Sequence, residues 1–306
     1  MNRRLLIGKN SIFPTNSLIA YVASNDDPND IDIVKSWPVS DSIQNAKNLI
    51  SCIKDTINPI TMKSVSLFIL FNTRDFPVEM SEYRDFFTDR PLTVSGLGMN
   101  KTTITVTENS TVERLFKTSA SSPIVIQDLA IKYTPSEPQP DTGIIELDMG
   151  GPVELKNLSI CGSFSAGIVS HLGDNEGEGN YSTISNVEIL EDVDSKNSSN
   201  CLVIDRRSKF GTISNLKVRS TSTAIYIDTL DYPFKVDATI LNGGDVIIGG
   251  GNAIYNLQYT DLIKDQRLIV NTNNSIINIK SIDSNYNITT TNNGLNNTIN
   301  TINNIK

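Results

Sequence analysis

Val153-Glu154-Leu155-Lys156-Asn157-Leu158-Ser159-Ile160 alternates apolar and polar residues, breaks the alternation at one asparagine, and resumes it. The pattern returns at Ile124-Val125-Ile126-Gln127-Asp128-Leu129-Ala130-Ile131, at Ser182-Thr183-Ile184-Ser185-Asn186-Val187-Glu188-Ile189 and at Gly211-Thr212-Ile213-Ser214-Asn215-Leu216-Lys217-Val218. The shared Asn or Asp stands at 128, 157, 186 and 215, three equal steps in succession, and a fixed period of this size marks a repeat architecture. Alternation with a period of two is the mark of a strand. A helical solenoid would need a 3.6-residue period over about ten or more residues per repeat, and none is present. A 29-residue coil fits three short strands joined by turns, stacked so that like residues lie about 4.8 Å apart in parallel sheets. The Asn or Asp at the break suits a turn conformation that other residues avoid, and it can stack on its neighbours. Asp128, Asn157, Asn186 and Asn215 are therefore expected to be structural.

Two less regular copies extend the series. Leu92-Thr93-Val94-Ser95-Gly96-Leu97 lies slightly more than one period before the first, and Ala238-Thr239-Ile240-Leu241-Asn242 follows the fourth after slightly less than one. A second strand set lies between the copies. Gly167-Ile168-Val169-Ser170-His171 aligns with Cys201-Leu202-Val203-Ile204-Asp205 and Ala224-Ile225-Tyr226-Ile227-Asp228. Gly143-Ile144-Ile145-Glu146-Leu147 is expected to precede this set and Ala253-Ile254-Tyr255-Asn256 to continue it. The fold class is all-β, a single-stranded parallel β-helix, with right-handed crossovers expected for parallel strands.

The stretch Pro91-Leu92-Thr93-Val94-Ser95-Gly96-Leu97-Gly98, followed by Thr102-Thr103-Ile104-Thr105-Val106, resembles the early coils of the pectate-lyase-like β-helix superfamily. Upstream, Ser42-Ile43-Gln44-Asn45-Ala46-Lys47-Asn48-Leu49-Ile50 has helical spacing of apolar residues, with Asp41 or Ser40 as its cap. It is similar to the short helix that plugs the N-terminal end of such solenoids and hides a sheet edge. The resemblance covers about residues 17–270 and concerns the fold rather than the chemistry. The expected organisation is a tail over 1–16, an N-terminal strand and capping helix over 17–64, the β-helix over 65–270, and a strand or tail over 271–306. That last segment holds 13 Asn, 8 Ile and 6 Thr in its 36 positions, so composition alone leaves strand and tail both open.

A net charge of −8 and a pI near 4.8 argue against a nucleic-acid partner. No run of about 18 apolar residues crosses a membrane, and Leu5-Leu6-Ile7 is too short for a signal peptide core. Three scattered cysteines, Cys52, Cys161 and Cys201, form neither a disulfide framework nor a zinc motif and are expected to be free thiols.

Polygalacturonase-like members of the superfamily carry Asn-Thr-Asp, Asp-Asp and His-Gly motifs. Here the single histidine, His171, is followed by Leu172, and no Asp-Asp lies in a coil strand. Strand parity leaves one constellation. Ile168, Ser170, Leu202, Ile204, Ile225 and Ile227 point inward, so His171, Asp205 and Asp228 form an outward column on successive coils. They are the candidate catalytic residues. Arg206 and Arg207 would flank the column, and Tyr226 and Tyr255 would form an aromatic ledge for binding. Carboxylates on adjacent coils would match the spacing of a glycosidase pair. No cofactor is expected, although the acidic loop Asp174-Asn175-Glu176-Gly177-Glu178-Gly179, with Glu191, Asp192 and Asp194 one coil on, could hold calcium.

The expected function is a virion structural protein, a spike, fibre or capsid decoration, with a β-helix shaft that binds surface glycan. Its partners would be polysaccharide and other virion proteins, with a homotrimer implied by the likeness to viral β-helices. The start Met1-Asn2-Arg3-Arg4-Leu5-Leu6 resembles that of phage structural proteins. The alternatives are a polysaccharide depolymerase using the outward acids and a module at the cell surface.

Overall fold

The computed structural model describes residues 13–24, 31–60, 65–82, 85, 86, 88, 90–112, 114–118, 122–135, 143–148, 152–171, 182–193, 199–205, 210–228, 234–282 and 286–303. They form an all-β parallel solenoid of about 8 turns with one short helix. The strands make two sheets, a major one of 14 strands and a minor one of 9 among the described residues.

The 29-residue repeat builds the middle of the major sheet. Its strands are Ile124–Tyr133, Val153–Gly162, Ser182–Glu191 and Phe210–Arg219, each ten residues long. Each folds over a corner at its Asn or Asp. Asp128, Asn157, Asn186 and Asn215 have φ of 59°, 51°, 52° and 49°, the left-handed region that costs most residues about 1–2 kcal/mol and that Asn and Asp tolerate best. Their side chains form a ladder. Asn157 Nδ2 donates to Asp128 Oδ1 (2.8 Å), Asn186 to Asn157 (2.9 Å) and Asn215 to Asn186 (2.8 Å). On either side of the corner the apolar residues stack in register. Ile126, Leu155, Ile184 and Ile213 form one interior column, and Ile131, Ile160, Ile189 and Val218 another. All eight are fully buried, each contributing about 1.5–3 kcal/mol of hydrophobic stabilisation.

Leu92 and Val94 pair with Ile124 and Ile126, so this copy does sit one coil before the first. Leu97 does not enter the interior. It packs outside against Phe13, Ile19, Tyr21 and Leu70, and the coil resumes at Thr103–Val106, which pairs with Ala130–Tyr133.

The copy expected at Ala238-Thr239-Ile240-Leu241-Asn242 is corrected by the pairing. Val236, not Ile240, lies beside Ile213, and Ala238 lies beside Leu216. One residue is lost between these two pairs, and the corner at Asn215 has no counterpart on the next coil. Asn242 is also left-handed, with φ of 60°, but it ends its strand instead of bending it. From here the coils shorten, to 19 residues between Asp237 and Asn256 and to 22 between Asn256 and Asn278 and between Asn278 and Asn300 on successive coils. In the same register Ile254 pairs with Ile276, and Ile276 with Thr298. The Asn-rich segment after residue 270 supplies strands Ile276–Ser281, Ile288–Asn292 and Thr298–Asn303.

Opposite that end, helix Ser42–Ser51 covers the interior. Asp41 Oδ1 accepts from the Gln44 amide at 2.8 Å and caps the helix. Ala46, Leu49, Cys52, Ile53 and Ile57 join the main core. Ser17–Ser24 and Ile31–Pro38 form an antiparallel hairpin laid on strand Val65–Asn72, so the parallel stack begins against an antiparallel edge.

Candidate functional site

The minor sheet carries the outward column. Ile145 pairs with Ile168, Ile168 with Leu202 and Leu202 with Ile225. Their side chains are fully buried, as are Ser170, Ile204 and Ile227, so the expected parity holds. His171, Asp205 and Asp228 then emerge at the ends of successive strands. The Asp205 amide donates to Ser170 O (3.1 Å), and the Asp228 amide to Ile204 O (2.8 Å). These bonds carry the ladder one residue beyond each strand and fix the height of both aspartates.

His171 Nδ1 lies 2.8 Å from Asp205 Oδ2, with side-chain exposures of 46% and 36%. In the tautomer that carries its hydrogen on Nδ1, His171 donates to Asp205 and the Nε2 lone pair is left on the other side of the ring. The column thus offers an oriented imidazole. Asp205 serves as the orienter. Asp228 sits one coil on, a step of about 4.8 Å, and its Oδ1 lies 3.2 Å from the position a Cβ on Gly249 would take. That glycine leaves the Asp228 carboxylate room on the C-terminal side.

Tyr226 is half-buried on the outer face, two residues before Asp228. Tyr255 is not part of a ledge with it, which corrects the expectation. Strand Ile254–Thr260 belongs to the major sheet, and the minor-sheet neighbours of Tyr226 are Val203 and Ile247. Tyr255 is fully buried, donates to Gly249 O at 2.9 Å, and meets Phe234 edge-on at 5.4 Å. The shortened coil moves the alternation at 253–256 to the other sheet. Arg206, Arg207, the loop 174–179 and Asp194 lie outside the described residues. Glu191 is buried, and its carboxylate accepts from the Thr221 amide (2.6 Å) and Thr221 Oγ1 (2.9 Å). Its oxygens serve a turn and do not face an open loop.

The sequence reading missed an ionic group at the head of the column. Asp148 pairs with His171 in register, and Lys117 Nζ lies 3.2 Å from Asp148 and 3.5 Å from Glu146. Arg114 Nε reaches Glu146 Oε2 at 2.5 Å. Burial opposes the Lys117 charge, but the bond to Asp148 and the field of Glu146 outweigh it and raise the pKa. The signal was present: Asp148 lies one residue past the stretch Gly143 to Leu147 and shares the parity of His171.

No protein-family model, curated protein or solved structure matches the chain.

Proposed function

We propose that the chain is a structural shaft of a virion, of the pectate-lyase-like right-handed β-helix type, and that it engages a surface glycan. The observation carrying this reading is the stack itself. Its coils are held in register by two sheets, a side-chain ladder and continuous apolar columns, and its N-terminal end is covered by a helix and a hairpin. Such a column is stiff along its axis and leaves the outer faces free for recognition. The lack of the wall-enzyme motifs supports binding over cleavage. Association around a three-fold axis belongs to the same reading, and sedimentation velocity reads it directly.

A second reading, a depolymerase, draws on the His171–Asp205 contact and on Asp228 one coil away. Adjacent-coil spacing is close to the roughly 5–5.5 Å separation of retaining carboxylate pairs. Incubation with a polysaccharide array, scored for retained binding and for released reducing or unsaturated ends, separates the two. Binding without release supports the shaft. Release that is abolished by Asp205→Ala or Asp228→Ala establishes the depolymerase and removes the purely structural function. Mass spectrometry of purified virions tests the assignment to the particle: absence of the chain overturns it.

A further inference from the structure

The shortened coils carry a trough on their outer face. On the outer face of the major sheet, two rows of side chains run parallel to the solenoid axis. Asp237, Asn256, Asn278 and Asn300 form one row, and Thr239, Gln258, Lys280 and Ile302 the other. Between them lies a trough of about 290 Å³, at the small end of ligand-sized pockets. Its floor is the backbone of Ala238, Leu257 and Ile279, whose side chains are buried inside. Asn215 and Leu216 also line it, because the last left-handed corner stands beside the first straight strand.

The asparagine row is a chain of amides. Asn256 donates to Asp237, Asn278 Nδ2 to Asn256 Oδ1 (2.8 Å), and Asn300 Nδ2 to Asn278 Oδ1 (2.8 Å). An amide has two N–H donors and a carbonyl oxygen with two lone pairs. Each ladder bond uses one of each, so Asn256 and Asn278 keep one donor and one acceptor apiece, repeated at the coil spacing of about 4.8 Å.

The charge is low. Asp237 is paired with Lys235 at 2.8 Å and with Asn256, which leaves Lys280 as the cation of the lining. A phosphate polymer needs several cations. A peptide adding as a strand needs an open sheet edge; the floor strands Lys235–Leu241, Ile254–Thr260 and Ile276–Ser281 have neighbours on both sides, and the edge at this end among the described residues is Thr298–Asn303, where an added strand would run across the axis and not along the trough. A hydroxyl-rich, uncharged chain meets neither obstacle. It finds a donor and an acceptor at each coil.

We propose that this trough, rather than the His171 column, is the glycan site, and that it takes an uncharged oligosaccharide laid along the solenoid axis. The inference rests on the glycan reading given above. The test titrates the full chain with neutral glucan, galactan and mannan hexasaccharides and with hexagalacturonate, by calorimetry. Gln258→Trp fills the trough, Gln258→Ala opens it, and Asp205→Asn alters the other site; circular dichroism confirms that each variant is folded. The expected result is binding of a neutral hexasaccharide that Asp205→Asn preserves, Gln258→Ala weakens at least threefold, and Gln258→Trp weakens at least tenfold. If Gln258→Trp does not fold, the loss in Gln258→Ala decides alone. Binding of hexagalacturonate only, or binding lost in Asp205→Asn and kept in the Gln258 variants, overturns the trough and leaves the glycan reading standing. No binding of any hexasaccharide overturns both.

Discussion

The side-chain amide of Asn186 donates to Asn157 Oδ1 at 2.9 Å from one coil to the next, and Asn157 donates in turn to Asp128 at 2.8 Å. One residue type meets two demands at this corner, a left-handed backbone and a bond to the coils above and below. Asn157→Ala loses both and should cost about 2–4 kcal/mol, from the αL penalty and two hydrogen bonds. Asn157→Gly keeps the backbone and loses only the bonds, so it should cost less. Urea denaturation of the pair reads the difference; equal losses would mean that the dihedral contributes nothing.

Gly162 has φ of 132°, and a Cβ there would lie 1.8 Å from Tyr133 O. Gly98 has φ of 143°, but its Cβ would meet nothing closer than the Lys101 side chain at 3.6 Å. Both alanine variants carry backbone strain of about 1–3 kcal/mol; only Gly162→Ala adds a clash with main chain. Thermal melting should therefore place Gly162→Ala well below Gly98→Ala.

Asp237 is half-buried. Burial raises its pKa, but hydrogen bonds from Lys235 and Asn256 outweigh this and hold it below the usual carboxylate range. A depressed folded pKa adds stability above the unfolded pKa, and that stability is lost as pH falls through the folded value. Acidification through and below the ordinary carboxylate range should thus loosen the coils that hang on this ladder. Hydrogen exchange at residues 256 and 278 should accelerate there, and Asp237→Asn should remove that pH dependence.

Cys52 and Cys201 are fully buried, and burial pushes both thiols far above their ordinary pKa. Cys161 is half-buried and is raised in the same direction by burial and then by Asp192. Since the thiolate is the reactive form, native protein at pH 7.5 should react slowly with a disulfide reagent, and denatured protein should titrate three thiols. Rapid native labelling of Cys52 or Cys201 would contradict the packing.

Asn45 is fully buried in the capping helix, where its amide donates to Ser40 O (3.0 Å) and Pro77 O (2.9 Å) and its oxygen accepts from the Ser40 amide (2.8 Å). Asn45→Ala strands these partners, at about 1–3 kcal/mol for a buried unsatisfied group. Light scattering during heating should show earlier aggregation, because the helix shields the end of the core.

The 29-residue coils were legible because one corner residue recurs and pins the phase of everything around it. The change to shorter coils was not. Asn242 repeats the local pattern and even the left-handed backbone, yet it serves another turn, and the loss of a single residue between Val236 and Ala238 leaves no mark in composition. Tyr255 was misplaced for the same reason: alternation gives the parity of a strand but not the sheet that owns it. His171 and Asp205 were placed together correctly because their strands lie upstream of that change. The trough escaped notice because it lies over the shortened coils, whose register the sequence does not announce.

The constant offset between Ile254 and Ile276 sets the increment by which this molecule can change length. Excising residues 254–275 joins Ala253 to Ile276 and returns every following side chain to the column it left, whereas removing one residue more or fewer turns the next strand inside out. Variation in reach is therefore stepwise. Whole coils can be gained or lost while the cross-section and the covered N-terminal end stay as they are.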